Sequence, residues 1–177
     1  MKKKIDIRQL SLEQLTDEIV KLGEKPYRAK QVHQWLWKKR AIDFDQMTNL
    51  SKSFRKLIEN NFIINALVLS EAQISSDKTI KNAFLLADNS VIEGVLIPTK
   101  KRMTACVSVQ VGCSLDCAFC ATGKLKRVRN LNADEIYDQV VMINDQSQKE
   151  YSIPISNIVY MGMGEPLLNY KNVLLSV

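Results

Sequence analysis

The chain has 177 residues, 46% of them hydrophobic and 25% charged, with six glycines and four prolines. These are globular values that suit one domain or two small ones, and they exclude wholesale disorder and collagen-like or low-complexity sequence. The net charge is +6. No run approaches 18 apolar residues, and Met1-Lys2-Lys3-Lys4 leads into Ile5-Asp6-Ile7-Arg8 rather than an apolar segment. The expectation is a cytoplasmic protein with no membrane span and no secretory signal.

Residues 1–62 read as a small helical domain. Ser11 with Gln14 forms a capping box, and Leu12, Leu15, Ile19 and Leu22 follow at helical spacing until Gly23. Pro26 suits a first turn, and Ala29, Val32 and Leu36 with Trp35 give the next stripe. A third helix starts near Ser51, with Phe54, Leu57 and Ile58 inward. Three short helices bury little alone, so they are expected to dock on the remainder of the chain. His33, the sole histidine, is a helix-surface residue on this reading and has no role.

After Asn60-Asn61 the period changes. Ala66–Leu69, Ala83–Ala87, Val91–Ile97 and Thr104–Gln110 are β-rich runs, with a hairpin turn at Asp88-Asn89-Ser90 and a stop at Pro98. Residues 63–103 are thus a β-hairpin and linking strands. From 104 to 177 the order becomes strand, long loop, helix, strand, loop, helix. The helix runs from a cap at Asn132 and Glu135 to about Asn144, the short buried strand covers Asn157–Met161, and the last helix begins near Leu168. The expected fold class is α/β, with a parallel βα array after the helical domain. A barrel unit takes roughly 30 residues, so this stretch holds about two units. The sequence stops within Val173-Leu174-Leu175-Ser176-Val177 without a helix stop signal, and is read as the N-terminal portion of something longer.

Charge is concentrated in two blocks. Residues 1–60 hold 14 Lys/Arg against 8 Asp/Glu, and residues 100–129 hold 7 against 1. Such blocks suit a polyanionic partner such as RNA, although two solvated faces fit the charge equally well.

All four cysteines, Cys106, Cys113, Cys117 and Cys120, lie within fifteen positions. Clustered thiols without an export signal point to metal or redox chemistry rather than a disulfide scaffold. The loop Cys113-x3-Cys117-x2-Cys120 lies between a strand and a helix, and three thiolates this close can hold three corners of a [4Fe–4S] cluster. The fourth iron is then open to an exogenous chelator. Phe119 inside the triplet suggests an apolar shell around the cluster. Structural zinc with Cys106 as fourth ligand, and unligated core cysteines, remain open alternatives on spacing alone.

The triplet, with an aromatic before its last cysteine, resembles the radical S-adenosylmethionine superfamily. VSVQVGCSLDCAFCATG, RNLNADEI and VYMGMGEPLLNY resemble its RlmN family of dual-specificity RNA methyltransferases, with Cfr-like enzymes as nearest neighbours. KPYRAKQVHQWLWKK and DFDQMTNLSKSFR resemble that family's N-terminal accessory domain, so the likeness covers essentially the whole chain. The fold implied is an accessory helical domain followed by the first part of a radical SAM partial βα barrel.

The resemblance implies a cluster on Cys113, Cys117 and Cys120. S-adenosylmethionine would chelate the open iron and be cleaved to a 5′-deoxyadenosyl radical. Gly162-Met163-Gly164-Glu165-Pro166 follows a strand's carboxyl end, where Gly164 permits close backbone approach and Glu165 would meet the methionyl ammonium. Glu93 shares a strand face with Val91, Val95 and Ile97. It is either a desolvated carboxylate with raised pKa or an edge-strand residue reaching solvent. The family likeness makes Glu93 the proton acceptor and Cys106 the cysteine that resolves a methyl-cysteine adduct. The methyl-carrying cysteine would belong to a later part, and none follows Cys120, so this chain alone should not turn over.

The implied substrate is adenosine C2 in 23S rRNA and tRNA, C8 being the Cfr-like alternative. Lys124-Leu125-Lys126-Arg127-Val128-Arg129 would contact phosphate, though it departs from the family's commoner Gly-Phe-bearing loop. Trp35, Trp37 and Lys38-Lys39-Arg40 are either an RNA face or packed rings with a solvated basic edge. A flavodoxin or ferredoxin would donate electrons, and the protein would be a monomer. From another class, the alternative is a non-catalytic RNA-binding module with a four-cysteine zinc site.

Overall fold

A computed structural model describes residues 4–177, which divide into two compact units, the first ending at Asn65 and the second Ala66–Val177. In the first unit, β1 (Ile5–Asp6) pairs in parallel with β2 (Phe62–Ile63) and so joins its two ends. Asp6 secures the join, accepting from Asn65 N at 3.0 Å and from Arg8 N at 3.0 Å. Between them lie α1 (Leu12–Lys21), α2 (Tyr27–Trp37) and α3 (Lys52–Asn61). The Ser11–Gln14 capping box forms with both bonds, at 2.9 and 3.2 Å. Ser51 caps α3 through Phe54 N.

This unit has its own core, contrary to the expectation that three short helices bury too little. Leu15, Ile19, Val32, Leu36, Phe54 and Ile58 come from the helices. The irregular segment between α2 and α3 adds Ala41, Phe44, Met47 and Leu50, all buried. Helical periodicity does not count side chains on a coil segment, and these four complete the core. Leu12 is exposed and Leu57 half-buried, at the margin of their stripes.

The second unit is built on a five-stranded sheet ordered β3-β4-β5-β6-β9. Its strands are β3 (Val68–Ile74), β4 (Ile80–Leu85), β5 (Val91–Pro98), β6 (Met103–Cys106) and β9 (Asn157–Val159). The first three pairings are antiparallel, and β6 with β9 is parallel. β3 runs further than its apolar pattern suggests because it is exposed on both faces, so no alternation marks it. The turn at Asp88-Asn89-Ser90 is present, with Asn89 at φ +65°.

The crossover from β6 to β9 contains α4 (Ala133–Tyr151), which starts from the Asn132–Glu135 capping box. It continues seven residues past Asn144 because polar residues take over from the apolar stripe. Gln146 and Asn82 exchange amide bonds at 2.9 Å, and Ser147 Oγ donates to Ile153 O at 2.6 Å. Ile136 and Ile143 of α4 share one core with Ile92, Leu96 and Ala105. The last strand is shorter than expected and is not buried, because it lies at the sheet's edge. A 3-10 turn, Pro166–Asn169, precedes α5 (Tyr170–Leu175). Among the described residues no helix is long and apolar enough to cross a membrane.

Candidate cofactor site

The single predicted strand Thr104–Gln110 is broken in two. Past β6 the chain bends through Val107–Val109, then forms β7 (Gln110–Val111), which pairs with β8 (Arg129–Asn130) in a separate ribbon. Ser108 makes the bend. Its hydroxyl donates to Glu93 O at 2.5 Å and accepts from Met163 N at 2.8 Å. Its backbone N–H and C=O both meet the side-chain amide of Gln139 on α4, at 2.8 and 3.1 Å. A fully buried bend therefore leaves none of its polar groups unpaired.

Alongside this bend, the segment after β9 continues the parallel association. Gly162 N donates to Val107 O at 3.1 Å, and Val109 N donates to Met163 O at 2.8 Å. Residues 162–166 therefore lie beside the strand that leads into Cys113. Both motifs stand at the carboxyl ends of adjacent parallel strands, where βα folds collect ligands.

The cysteine loop closes on itself. Cys113 N donates to Leu125 O at 3.3 Å, Cys120 N to Cys117 O at 3.0 Å, and Gly123 N to Cys120 O at 3.1 Å. The thiols of Cys113, Cys117 and Cys120 are free and half-buried. Backbone N–H groups of Gly123 and Thr122 draw the Cys120 thiol below its ordinary pKa. Among the described residues no three Cys, His, Asp or Glu side chains stand as a preformed metal-ligand set. The donor chemistry nonetheless fits a three-thiolate site, with free sulfurs on one loop at a strand's carboxyl end. Phe119 is 94% exposed, so it provides no apolar shell; no neighbouring element covers it.

Cys106 and Glu93 share one face of the sheet. Val95 is the register partner of Cys106, and Glu93 lies two residues before Val95 on β5. Ile92 and Leu96, on either side of Glu93 and Val95 in the strand, belong to the opposite face, in the core with α4. Cys106 is 8% exposed, and burial pushes its thiol up, partly offset by a backbone hydrogen bond from Met161.

Glu93 does not have the apolar surroundings its neighbours suggested, nor is it on an edge strand. Its side chain is half exposed and pairs with Lys81 at 3.2 Å. Its cross-strand partner Ala83 is too small to cover it.

Glu165 is half-buried, and one carboxylate oxygen accepts from Leu167 N at 3.0 Å, capping the 3-10 turn. A Cβ on Gly164 would stand 2.4 Å from Gln110 Cβ, so the space beside Gly164 is filled by the chain itself.

The basic run divides by its contacts. Lys124, Lys126 and Arg127 line an open depression of about 510 Å³ with Cys113, Ser114, Gly123 and Leu125. Arg129 is not a free phosphate donor. It forms a two-pronged pair with Glu135 at 2.7 and 2.8 Å and donates to Asp88 at 2.7 Å. These carboxylates raise the Arg129 pKa, and Arg129 holds Asp88 at about 2.

In the first unit, Trp35 donates to Asn49 and carries Lys39 over its ring at 3.8 Å. His33, half-buried rather than at the surface, lies beside Trp37 with ring centroids 6.3 Å apart, and burial lowers its pKa.

The polar residues that build the site, Ser108, Gln110, Asn130 and Gln139, escaped the sequence reading. Their only signal was polarity within otherwise apolar or β-rich runs.

A family model described as ribosomal RNA large subunit methyltransferase N-terminal domain matches residues 5–64. The chain is 58% identical over 175 residues to the probable dual-specificity RNA methyltransferase RlmN of Christiangramia forsetii, covering 99% of this chain and 50% of that protein. Its identity to the same-named protein of Cytophaga hutchinsonii is 59% over 172 residues, covering 97% and 47%. The crystal structure of a radical SAM methyltransferase from Sphaerobacter thermophilus superposes with a TM-score of 0.82 at 36% identity. That match covers 97% of this chain and 50% of the other. The chain thus spans about half the length of the curated relatives it matches.

Proposed function

We propose, for a chain that belongs to the RlmN family, that it supplies the accessory domain and the cofactor-binding part of a radical SAM methyltransferase. The whole enzyme would methylate C2 of adenosine in 23S rRNA and tRNA through a methyl-cysteine intermediate. The observation that carries this reading is the parallel β6–β9 pairing, which runs residues 162–166 beside the segment that leads into the three-cysteine loop.

Cys113, Cys117 and Cys120 would hold a [4Fe–4S] cluster, and Gly164 and Glu165 would receive the methionyl end of S-adenosylmethionine. Bound there, the cluster supplies the electron that cleaves this cosubstrate. Cys106, kept protonated by burial, stays inert until a base removes its proton, which suits a resolving thiol. Glu93, on the same sheet face, is the proposed proton acceptor, its half-exposed carboxylate standing beside Lys81 at 3.2 Å. Lys124, Lys126 and Arg127 would contact RNA phosphate. The enzyme would act as a cytoplasmic monomer with a flavodoxin or ferredoxin as electron donor.

Anaerobic reconstitution tests the reading. The expected result is a brown protein with roughly four irons per chain, lost when the three cysteines are replaced together. One zinc and no colour would instead support a non-catalytic RNA-binding module.

A further inference from the structure

Gln110 is fully buried two residues before Gly112-Cys113, and its side-chain amide is committed at both ends. Its Oε1 accepts from Glu165 N at 2.9 Å, and its Nε2 donates to Asn130 Oδ1 at 2.8 Å. Asn130 in turn donates from Nδ2 to Leu168 O at 3.1 Å. The chain of bonds leaves the strand entering the cysteine loop, passes through the loop's return strand, and reaches both sides of the Glu165 turn. Each amide has one workable orientation, because reversing either would bring two acceptors or two donors together.

Gly164 supports the same contact. Its φ is +94°, and a Cβ there would overlap Gln110 Cβ, Cγ and Oε1 at 2.4 to 2.8 Å. The glycine lets Gln110 reach the Glu165 N–H. The Glu165 carboxylate then caps Leu167 with Oε1, so the turn presents its other oxygen in a fixed direction.

We propose that Gln110 is a positioning residue. Through the Glu165 backbone it aims that carboxylate at the ammonium of S-adenosylmethionine, and it holds the turn in register with the cysteine loop. This rests on the cofactor reading above. Among the described residues, Asn130 of β8 and the Glu165 backbone are the polar partners of this amide.

The test uses the full 177-residue chain with Gln110→Met, which keeps the shape and removes both bonds, and Gln110→Glu, which keeps the acceptor toward Glu165. Amide hydrogen exchange is read first, without cofactor. Gln110→Met should speed exchange at Glu165 by about tenfold, as expected for one lost buried hydrogen bond. Gln110→Glu should leave that amide protected. A merely structural role would move both variants alike, and that outcome overturns the proposal.

The anaerobically reconstituted proteins are then titrated with S-adenosylmethionine. Gln110→Met should retain its iron and weaken binding about tenfold, and Glu165→Gln added to it should weaken binding no further. Additive losses would show that Gln110 does not act through Glu165 and would overturn the inference alone. A wild-type chain that takes up iron but binds no S-adenosylmethionine would overturn the cofactor reading and this inference with it. Should Gln110→Met fail to fold, Gln110→Glu decides: lost Glu165 protection in that variant overturns the proposal.

Discussion

Replacing Arg129 with Met separates a structural clamp from an RNA contact. Arg129 makes three charge-assisted bonds of 2.7–2.8 Å that tie the return strand of the cysteine loop to the start of α4 and to the β4–β5 turn. The Glu135 side chain is 10% exposed and that of Arg129 29%. Stranding one partner of a fully buried pair costs about 3–5 kcal/mol, and this partial exposure reduces it to about 2–3. The Asp88 shift from 3.8 to about 2 would correspond to about 2.4 kcal/mol unscreened. That side chain is 42% exposed, so about 1 kcal/mol or less survives solvent screening.

Urea unfolding at neutral pH should therefore show Arg129→Met destabilised by about 3 kcal/mol. The Asp88 contribution is fully present above 3.8 and is lost as pH falls to about 2, so the gap between variant and wild type narrows across that interval. In parallel, binding of a structured RNA is followed against salt. Lys126→Met and Arg127→Met should each lower the salt slope by about one, and Arg129→Met should leave it unchanged. A stability change within about 0.5 kcal/mol, together with a reduced slope for Arg129→Met, would refute the clamp.

Gly112→Ala should open the cysteine loop, because its φ is +71° and a Cβ would sit 2.2 Å from Lys126 O. Exchange at the Cys113 amide should rise, and iron uptake should fall by more than half at an assumed cost of about 1 kcal/mol or more. Ser108→Ala removes the hydroxyl shared by Glu93 O and Met163 N and should cost about 1–3 kcal/mol in urea unfolding, with the change concentrated in the second unit. In the metal-free chain, alkylation mapped by mass spectrometry should reach Cys113, Cys117 and Cys120 first. Cys106 should react roughly tenfold more slowly or worse, because it is buried with a raised pKa; equal rates would contradict its placement.

Much of the architecture was legible in the residues. The capping boxes at Ser11 and Asn132 marked helix starts because a short polar side chain there satisfies amides the helix cannot. The change from helical to alternating apolar spacing near Asn61 marked the passage into the sheet. For Glu93 the sequence left two readings, and the solvent-reaching one matches its half-exposed side chain, although its strand is central; its own neighbours Val91, Val95 and Ile97 do not reveal which face meets α4. Arg129 read as one more cation in a basic run, since one of its two carboxylate partners, Asp88, lies 41 positions away in sequence and the other, Glu135, read as a helix cap.

From the amino-acid order came the cysteine spacing, the short elements and the likeness of the motifs to a known family, all of which depend on local pattern. That Cys106 and Glu93 share a face depended on the β5–β6 register, and the meeting of residues 162–166 with the segment leading into the cysteine loop depended on β6 and β9 pairing across an intervening helix. Only that pairing brings Gln110 within 2.9 Å of the Glu165 amide, 55 residues further along the chain. Long-range hydrogen bonds of buried polar groups have no periodicity to betray them, because each is set by where two distant backbones happen to run side by side.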